Sequence, residues 1–375
     1  MDWLTSAEAL SLLGTQPQTL YANVSRGRIK ARPDPADSRR SLYRGDDVRR
    51  LAQRAAGRRK QEAVAAQAML WGEPVLQTSI STIAGGRLLY RGRDACELAE
   101  AATLEEAATL LWQAPCALSF GEPVGQGLIS AFSALAAHAV RPLAGRLPAL
   151  LADEAGAIMG TLAQALAGDG PPAQPIHLRL AHSWNRLDAA GVIRRALVTL
   201  ADHELNASTF AARVTVSTGA SLGAGTLAGL AALSGPRHGQ ASRAIVALAE
   251  DIPRMRATAE EALRDWLGEG RQVPGIGHPL YPYGDPRCLT LLDSFDLPPA
   301  FVSYRAAAEG LTGDLPNVDF ALAAMTARFD LPPDAGFTIF ALARSAGWLA
   351  HMMEQIASGE AIRPRARYVG EGRSG

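Results

Sequence analysis

The chain has 375 residues, of which 48% are hydrophobic and 20% are charged, and its formal net charge is zero. This length and composition allow a sizeable buried core, in one large domain or in two to three smaller ones. The three cysteines, Cys96, Cys116 and Cys288, lie far apart in the sequence, which argues against a disulfide or zinc framework and favours a reducing compartment, so we expect a cytoplasmic protein.

The zero net charge hides an asymmetry along the chain. Residues 1–60 contain 13 Lys/Arg and 6 Asp/Glu, a net charge of +7, so the remaining residues carry −7. A basic segment beside an acidic body predicts an N-terminal module with an anionic partner. Because the first residues include Asp2 and Glu8 and lack a basic n-region, we expect no signal peptide.

The N-terminal module is divided into short elements. Thr5-Ser6-Ala7-Glu8 has the pattern of a capping box and predicts a helix that ends at Gly14. A second short helix is predicted over about 17–25, followed by a β-hairpin from residues 28–32 and 41–44, and by a third helix capped by Asp46-Asp47. This order resembles the winged helix-turn-helix of the MerR and excisionase type, and we assign that domain to residues 1–57.

The resemblance implies that the module binds double-stranded DNA. Polar side chains of the second helix would face base edges, and basic side chains of the wing would face phosphates. The candidate contact residues are Gln18, Arg28, Lys30, Arg39 and Arg40. A basic protein-interaction module, a relic of a DNA binder and a dimerisation element remain open alternatives.

The middle of the chain has a helical character. Residues 58–70 are predicted to form a linker, and a small hairpin is predicted over residues 80–90. No charged residue lies between Arg213 and Arg237, a stretch long enough to cross a bilayer. However, the stretch is rich in Gly, Ser and Thr, so we interpret it as a closely packed helix of a soluble protein or subunit interface and expect no membrane span.

Four segments combine titratable residues with Gly, Pro or Asn, and loops of that kind often hold active sites. They are Asp202-His203-Glu204-Leu205-Asn206, Ser234-Gly235-Pro236-Arg237-His238-Gly239, Val273-Pro274-Gly275-Ile276-Gly277-His278 with Asp285-Pro286-Arg287, and Pro316-Asn317-Val318-Asp319. Taken singly, each has an ordinary structural interpretation: a cap, a buried carbonyl partner or a loop histidine.

Taken together and in this order, the segments resemble the citrate synthase family over residues 75–370. Further matching runs are Gly86-Arg87-Leu88-Leu89-Tyr90-Arg91-Gly92, His203-Glu204-Leu205-Asn206-Ala207-Ser208-Thr209-Phe210 and Arg363-Pro364-Arg365. The resemblance implies a mainly α fold, in which a two-domain, all-helical body follows the winged helix-turn-helix domain. The large domain would comprise residues 71–236 and 330–375, and the small domain residues 237–329.

The resemblance also implies roles for seven side chains. Asp319 would be the base that removes a proton from the thioester substrate, His238 the neutral hydrogen-bond donor to the enolate oxygen, and His278 the group that polarises and protonates the ketone. The carboxylates of oxaloacetate would be bound by His203, Arg287 and Arg344, with Arg363 contributed by the partner subunit of a homodimer. Coenzyme A enters as a thioester substrate, acetyl-CoA or propionyl-CoA, and no metal or resident cofactor is implied.

Departures from the family pattern leave alternatives open. Pro279 stands where bacterial relatives often carry a basic residue, so the choice of acyl group is not implied. A transcription regulator that keeps an inactive enzyme fold as a metabolite sensor is the alternative function. The histidines outside the motifs, namely His138, His177, His182 and His351, are interpreted as structural or surface residues.

Overall fold

The computed structural model describes residues 2–13, 20, 23–25, 28–35, 37, 40–49, 51–52, 76–121, 125–140, 148–168, 174–254 and 258–364. The chain divides into two compact units, one of Met1–Gln77 with Arg365–Gly375 and one of Thr78–Pro364. The predicted linker, residues 58–70, lies outside the described residues. The predicted division of the body into a large and a small domain stays a prediction.

The first unit contains a small antiparallel sheet beside short helical segments. Its strands are β1 (Trp3–Leu4), β2 (Ala31–Pro33) and β3 (Ser41–Arg44), in the order β1-β3-β2, with helix α1 (Ser6–Leu13) after β1. The predicted hairpin is present as the pairing of β2 with β3. Residues 20 and 23–25 are helical, as are residues 45–49 and 51–52.

A side-chain contact explains where helix α1 begins, whereas the cap predicted for the third helix is absent. The capping box is confirmed: the Thr5 amide donates to Glu8 Oε2 over 2.7 Å, and the Glu8 amide lies 3.4 Å from Thr5 Oγ1. The predicted cap of the third helix is wrong, because residue 45 is already helical and the Asp47 carboxylate accepts from the Lys30 amide. The candidate DNA contacts Gln18 and Arg39 lie outside the described residues.

The second unit is built almost entirely from helices. A three-stranded sheet opens it, with strands β4 (Ser81–Ala84), β5 (Arg87–Tyr90) and β6 (Arg93–Asp94). A 3-10 turn (Leu187–Ala189) precedes the helix that begins at Ala190. The helices are α2 (Ala95–Leu98), α3 (Leu104–Trp112), α4 (Leu128–Ala139), α5 (Pro148–Ala167), α6 (Ile176–Ser183), α7 (Ala190–Thr199), α8 (Ala207–Ser217), α9 (Leu222–Leu233), α10 (Ala241–Arg254), α11 (Ala259–Gly268), α12 (Pro286–Leu292), α13 (Pro299–Thr312), α14 (Val318–Arg328) and α15 (Ala335–Ser358).

The predicted hairpin over residues 80–90 is confirmed, and its turn has a simple cause. Gly85 and Gly86 adopt φ values of +58° and +76°, a conformation that two consecutive glycines reach without steric penalty and that matches the twist of paired strands. The strands pair from Ser81 with Tyr90 to Ala84 with Arg87.

The long helix α15 lies at the centre of the unit and is buried on nearly all sides. Small residues of α9 allow the two helix backbones to approach closely. A Cβ atom at Gly229 would lie 2.9 Å from the Trp348 ring, and one at Gly225 would lie 2.1 Å from Met352 Sδ. Packing of this kind explains the abundance of Ala and Gly in the sequence.

The uncharged run before Arg237 is not the single helix that we predicted. It covers the last turn of α8 and all of α9, which are separated by a turn in which Gly219 has φ +87°. Within the part of the chain that the structure describes, no helix is long and apolar enough to span a membrane.

Candidate active site

Six of the predicted site residues lie at the ends of helices or within α15, all inside the second unit. His203 follows α7, His238 follows α9, and His278 lies in the loop before α12. Arg287 and Asp319 lie in the first turns of α12 and α14, and Arg344 lies in α15. Contacts between these loops and helices determine which of the six side chains meet.

Two of the three histidines contact each other through aromatic edges. The rings of His203 and His278 meet with centroids 5.3 Å apart and planes at 84°. Tyr281 contacts both rings, and its hydroxyl lies 2.9 Å from His203 Nε2. The buried Tyr281 side chain therefore fixes the relative orientation of the two imidazoles.

The third histidine is held by a hydroxyl and an aromatic ring. His238 Nε2 lies 3.0 Å from Ser208 Oγ, and the imidazole packs edge-on against Phe340. The Ser208 hydroxyl also accepts from Trp348 Nε1. His238 Nδ1 has no hydrogen-bond partner among the described residues, so this nitrogen is available to a ligand.

All three imidazoles are neutral near pH 7. Burial and the charge of Arg344 lower the pKa of His238 to about 4, and burial and Arg287 lower the pKa of His278 to about 4. Burial, Arg287 and Arg344 hold the pKa of His203 well below its ordinary value. Neutral imidazoles can donate a hydrogen bond without bringing a buried charge.

A buried ion pair connects two of the site segments. Arg287 donates from Nε and Nη2 to the two carboxylate oxygens of Asp285, over 2.9 and 2.8 Å, and both side chains are buried. The same carboxylate accepts from the Val318 amide over 3.0 Å, at the N-terminus of α14. Asp285 thus joins the arginine to the helix that carries Asp319.

The loops before α12 and α14 are also tied to each other directly. The Gly277 backbone amide donates to the Leu315 carbonyl over 2.8 Å. Asn317 donates from its backbone amide to the Gly275 carbonyl and from its side-chain Nδ2 to the Gly277 carbonyl, each over 2.9 Å. Gly275 and Gly277 have φ values of +76° and +75°, which only glycine adopts readily. These contacts fix the spacing between His278 and Asp319.

The Asp319 carboxylate is half-buried and receives no hydrogen bond from the residues that the structure describes. Burial raises its pKa to about 6, although Arg287 and Arg344 oppose that increase. A carboxylate in this state is ionised at pH 7 yet basic enough to accept a proton from a weak carbon acid.

Arg344 is buried with part of its hydrogen-bonding capacity unused. Its Nε donates to the Leu200 carbonyl over 3.0 Å, whereas the buried Nη2 atom has no partner. Burial lowers the pKa of Arg344 to about 10, with the Asp202 charge opposing, so the side chain remains a cation at pH 7. An unpartnered buried guanidinium nitrogen is suited to a carboxylate ligand.

The structure does not bring Arg363 to the other six residues. Its side chain is exposed and forms no hydrogen bond or ion pair with the described residues. Sequence reasoning missed Tyr281 and the role of Asp285, although both lie between motif residues. The spacing of Asp285 and Arg287 around a proline is the signal that could have suggested their pairing.

Comparisons with known proteins point to one family. Residues 116–365 match the family model described as citrate synthase, C-terminal domain. The citrate synthase of Thermotoga maritima has a crystal structure that matches with a TM-score of 0.68 and 26% identity, over 81% of this chain and 96% of that chain.

Two curated relatives match over shorter stretches. The citrate synthase of Haloferax volcanii is 36% identical over 189 residues, which is 47% of this chain and 49% of that protein. The 2-methylcitrate synthase 1 of Corynebacterium glutamicum is 32% identical over 200 residues, which is 50% of this chain and 51% of that protein. The chain therefore spans about half the length of these relatives in the matched stretches.

The ion pair gives a prediction about stability. Asp285→Ala would leave Arg287 buried without a counter-charge, so we expect the free energy of unfolding to fall by about 3–5 kcal/mol. The matched control is Glu260→Ala, which removes an exposed partner of Arg264 and should cost less than about 1 kcal/mol. Urea unfolding followed by circular dichroism measures both, and equal losses would contradict the importance of the buried pair.

Proposed function

Because the chain belongs to the citrate synthase family, we propose that it condenses an acyl-CoA with oxaloacetate and hydrolyses the thioester product. The products are citrate and CoA from acetyl-CoA, or methylcitrate and CoA from propionyl-CoA. The observation that carries this proposal is the Asp319 carboxylate, which has no hydrogen-bond partner among the described residues and a pKa of about 6. Arg287 and Arg344 lie close enough for their charges to lower that pKa. A base beside two cations suits the deprotonation of a thioester next to a bound dicarboxylate.

In the proposed first step, Asp319 takes a proton from the carbon next to the thioester carbonyl. The negative charge that develops on the carbonyl oxygen is stabilised by a hydrogen bond from His238. The Ser208 hydroxyl lies 2.6 Å from Asn206 Oδ1 and 3.0 Å from His238 Nε2, and it can donate to only one of them. The proposed role of His238 requires the tautomer in which Nε2 accepts that proton and Nδ1 carries the donated hydrogen. The low pKa of His238 supports this role, because it keeps the imidazole neutral.

In the second step, the enolate carbon attacks the ketone of oxaloacetate and forms the new C–C bond. His278 supplies the proton that the ketone oxygen gains, while Arg287, Arg344 and His203 bind the carboxylates. The free Arg344 Nη2 atom supports such a contact. Water then adds to the thioester carbonyl and returns a proton to His278. The C–S bond breaks, and the CoA sulfur leaves as a thiol with the proton that Asp319 held. We propose that no metal or resident cofactor takes part and that the protein is cytoplasmic.

Replacing the base should abolish turnover while sparing substrate binding. Asp319→Asn keeps the shape of the side chain and removes its basicity, so we expect kcat to fall by about 10²–10⁴. Oxaloacetate affinity should change little, and Asp293→Asn, at an exposed position that ends α12, should leave kcat unaltered. Release of CoA thiol measures turnover, and titration calorimetry measures oxaloacetate binding.

The pH profile of the wild-type enzyme provides a second check of the same residue. Protonation of Asp319 removes the base, so kcat/KM should fall about tenfold per pH unit below pH 6, close to the pKa of this carboxyl. A protein that binds oxaloacetate but releases no thiol with any short acyl-CoA would instead favour the metabolite-sensing regulator.

We propose further that the protein is a homodimer in which Arg363 completes the site of the partner subunit. Helices α8 and α9 leave a partly exposed stripe of small and apolar side chains, which includes Ala211, Val214, Ala224 and Leu227. A helix-on-helix interface would bury that stripe. The exposed position of Arg363 also suits a contact outside its own chain.

Hybrid dimers test this assembly. Arg363→Ala and His278→Ala should each be nearly inactive, but refolding a mixture of the two should restore part of the activity, because one site of the hybrid has both side chains. Each variant refolded alone serves as the control. A monomer in light scattering, or a mixture no more active than its components, would contradict the proposal.

For the N-terminal unit, we propose a winged helix-turn-helix domain that binds double-stranded DNA. The net charge of +7 over residues 1–60 supports an anionic partner. The side chains of Arg28, Lys30 and Arg40 are exposed, in and around the hairpin formed by β2 and β3. Exposed cations beside a hairpin suit contacts with phosphates.

DNA binding by the full chain should depend steeply on salt. In fluorescence anisotropy, log K should fall with log salt by about 0.9 for each phosphate contacted. Arg28→Ala or Arg39→Ala should weaken all sequences alike, Gln18→Ala should relax sequence preference, and Arg264→Ala in the second unit should have no effect. Affinity that is independent of salt, or unchanged in Arg28→Ala, would contradict the proposal.

A further inference from the structure

A buried carboxylate–imidazole pair lies directly beside His203, and the proposed chemistry does not use it. Asp202 precedes His203 in the chain, and its Oδ2 atom lies 3.1 Å from His351 Nε2. Both side chains are fully buried, and the Ser81 hydroxyl donates to the same oxygen. On its other side, His351 Nδ1 lies 3.5 Å from Thr78 Oγ1, so the ring is held at both nitrogens.

One face of α15 contacts three consecutive residues of the loop that carries His203. Arg344 Nε donates to the Leu200 carbonyl over 3.0 Å, and the Gly347 amide donates to the Ala201 carbonyl over 3.0 Å. His351 then contacts Asp202. Residues 344, 347 and 351 are spaced by three and four, so they share one side of the helix. The helix face therefore fixes the position of the loop relative to Arg344.

Close approach of the loop requires a glycine in the middle of this face. A Cβ atom at Gly347 would lie 2.2 Å from Asp202 Oδ1 and 2.5 Å from the Ala201 carbonyl oxygen. No such contact is sterically possible for any other residue without movement of the loop. The glycine thus lets the Asp202 carboxylate reach His351.

The loop also contains a residue with a strained backbone, so the loop conformation depends on contacts with other segments. Glu204 has φ +50°, a left-handed conformation that side chains disfavour. The hairpin of β4 and β5 holds it there: the Glu204 amide donates to Ser81 Oγ over 3.0 Å, and Glu204 Oε1 accepts from the Ile83 amide over 2.6 Å. His203 lies between the two anchored residues.

We propose that His351 and Asp202 are positioning residues for the oxo-acid site, which hold His203 and Arg344 at the separation that a dicarboxylate requires. The inference rests on the function proposed above, because it assigns these residues to the affinity for oxaloacetate and not to the chemical step. Burial by itself would raise the pKa of Asp202, but His351, Arg344 and Ser81 lower it. Asp202 is therefore an anion whose charge attracts the Arg344 guanidinium.

Substitutions at residue 351 separate positioning from bulk packing. His351→Met fills the space but cannot donate to Asp202, so the Kd and KM for oxaloacetate should rise about 10- to 100-fold. The KM for the acyl-CoA should change less than about threefold. His351→Gln can place an amide N–H near the position of Nε2, and it should restore most of the oxaloacetate affinity. The control is His138→Met, which removes a half-buried histidine bonded to Thr161 in another part of the unit.

Calorimetric titration of the full chain with oxaloacetate gives the affinity, and thiol release gives the two KM values. If His351→Met does not fold, Ser81→Ala removes the hydroxyl contact to the same carboxylate and should raise the Kd for oxaloacetate in the same direction. Equal loss of affinity for both substrates, no rescue by glutamine, or an effect matched by His138→Met would overturn the inference. Wild-type protein that does not bind oxaloacetate would overturn the proposed function and this inference with it.

Discussion

The buried ion pair of Asp285 and Arg287 is the contact on which the rest of the site depends. A guanidinium in the protein interior is costly unless a counter-charge and hydrogen bonds offset its lost hydration, and Asp285 supplies both to Arg287 through two parallel contacts. Because the same carboxylate accepts from the Val318 amide, the ion pair also fixes the first turn of α14. The position of Asp319 therefore follows from the requirement to neutralise a buried arginine.

The same buried environment shifts the pKa values of the site histidines and of Asp319 in opposite directions. Burial disfavours the charged form of every group, so it lowers the pKa of His238 and His278 and raises that of Asp319. The nearby cations lower the pKa of the imidazoles further, but they limit the rise at the carboxyl. The result at neutral pH is two uncharged donors and one ionised base, the combination that enolate chemistry requires.

Local features of the sequence predicted local structure well. The Thr5–Glu8 capping box and the hairpin over residues 80–90 are confirmed, because each depends on side chains or φ values within a few residues. The continuous helix predicted before Arg237 was wrong, since composition alone does not reveal the turn at Gly219. His351, interpreted as structural or surface, is fully buried against Asp202, and a separation of 149 residues hides that contact from sequence reasoning.

The sequence by itself determined the family, the chemical types available to the site and the loops on which they lie, because motifs of Gly, Pro, His and Asp are readable along the chain. Only the tertiary structure decided which groups are neutral, which guanidinium nitrogen is free and which helix face holds the His203 loop. Those properties arise from burial and from contacts between distant segments. Neither the shifted pKa values nor a buried, unpartnered Arg344 nitrogen exists until helices such as α15 pack around the side chains.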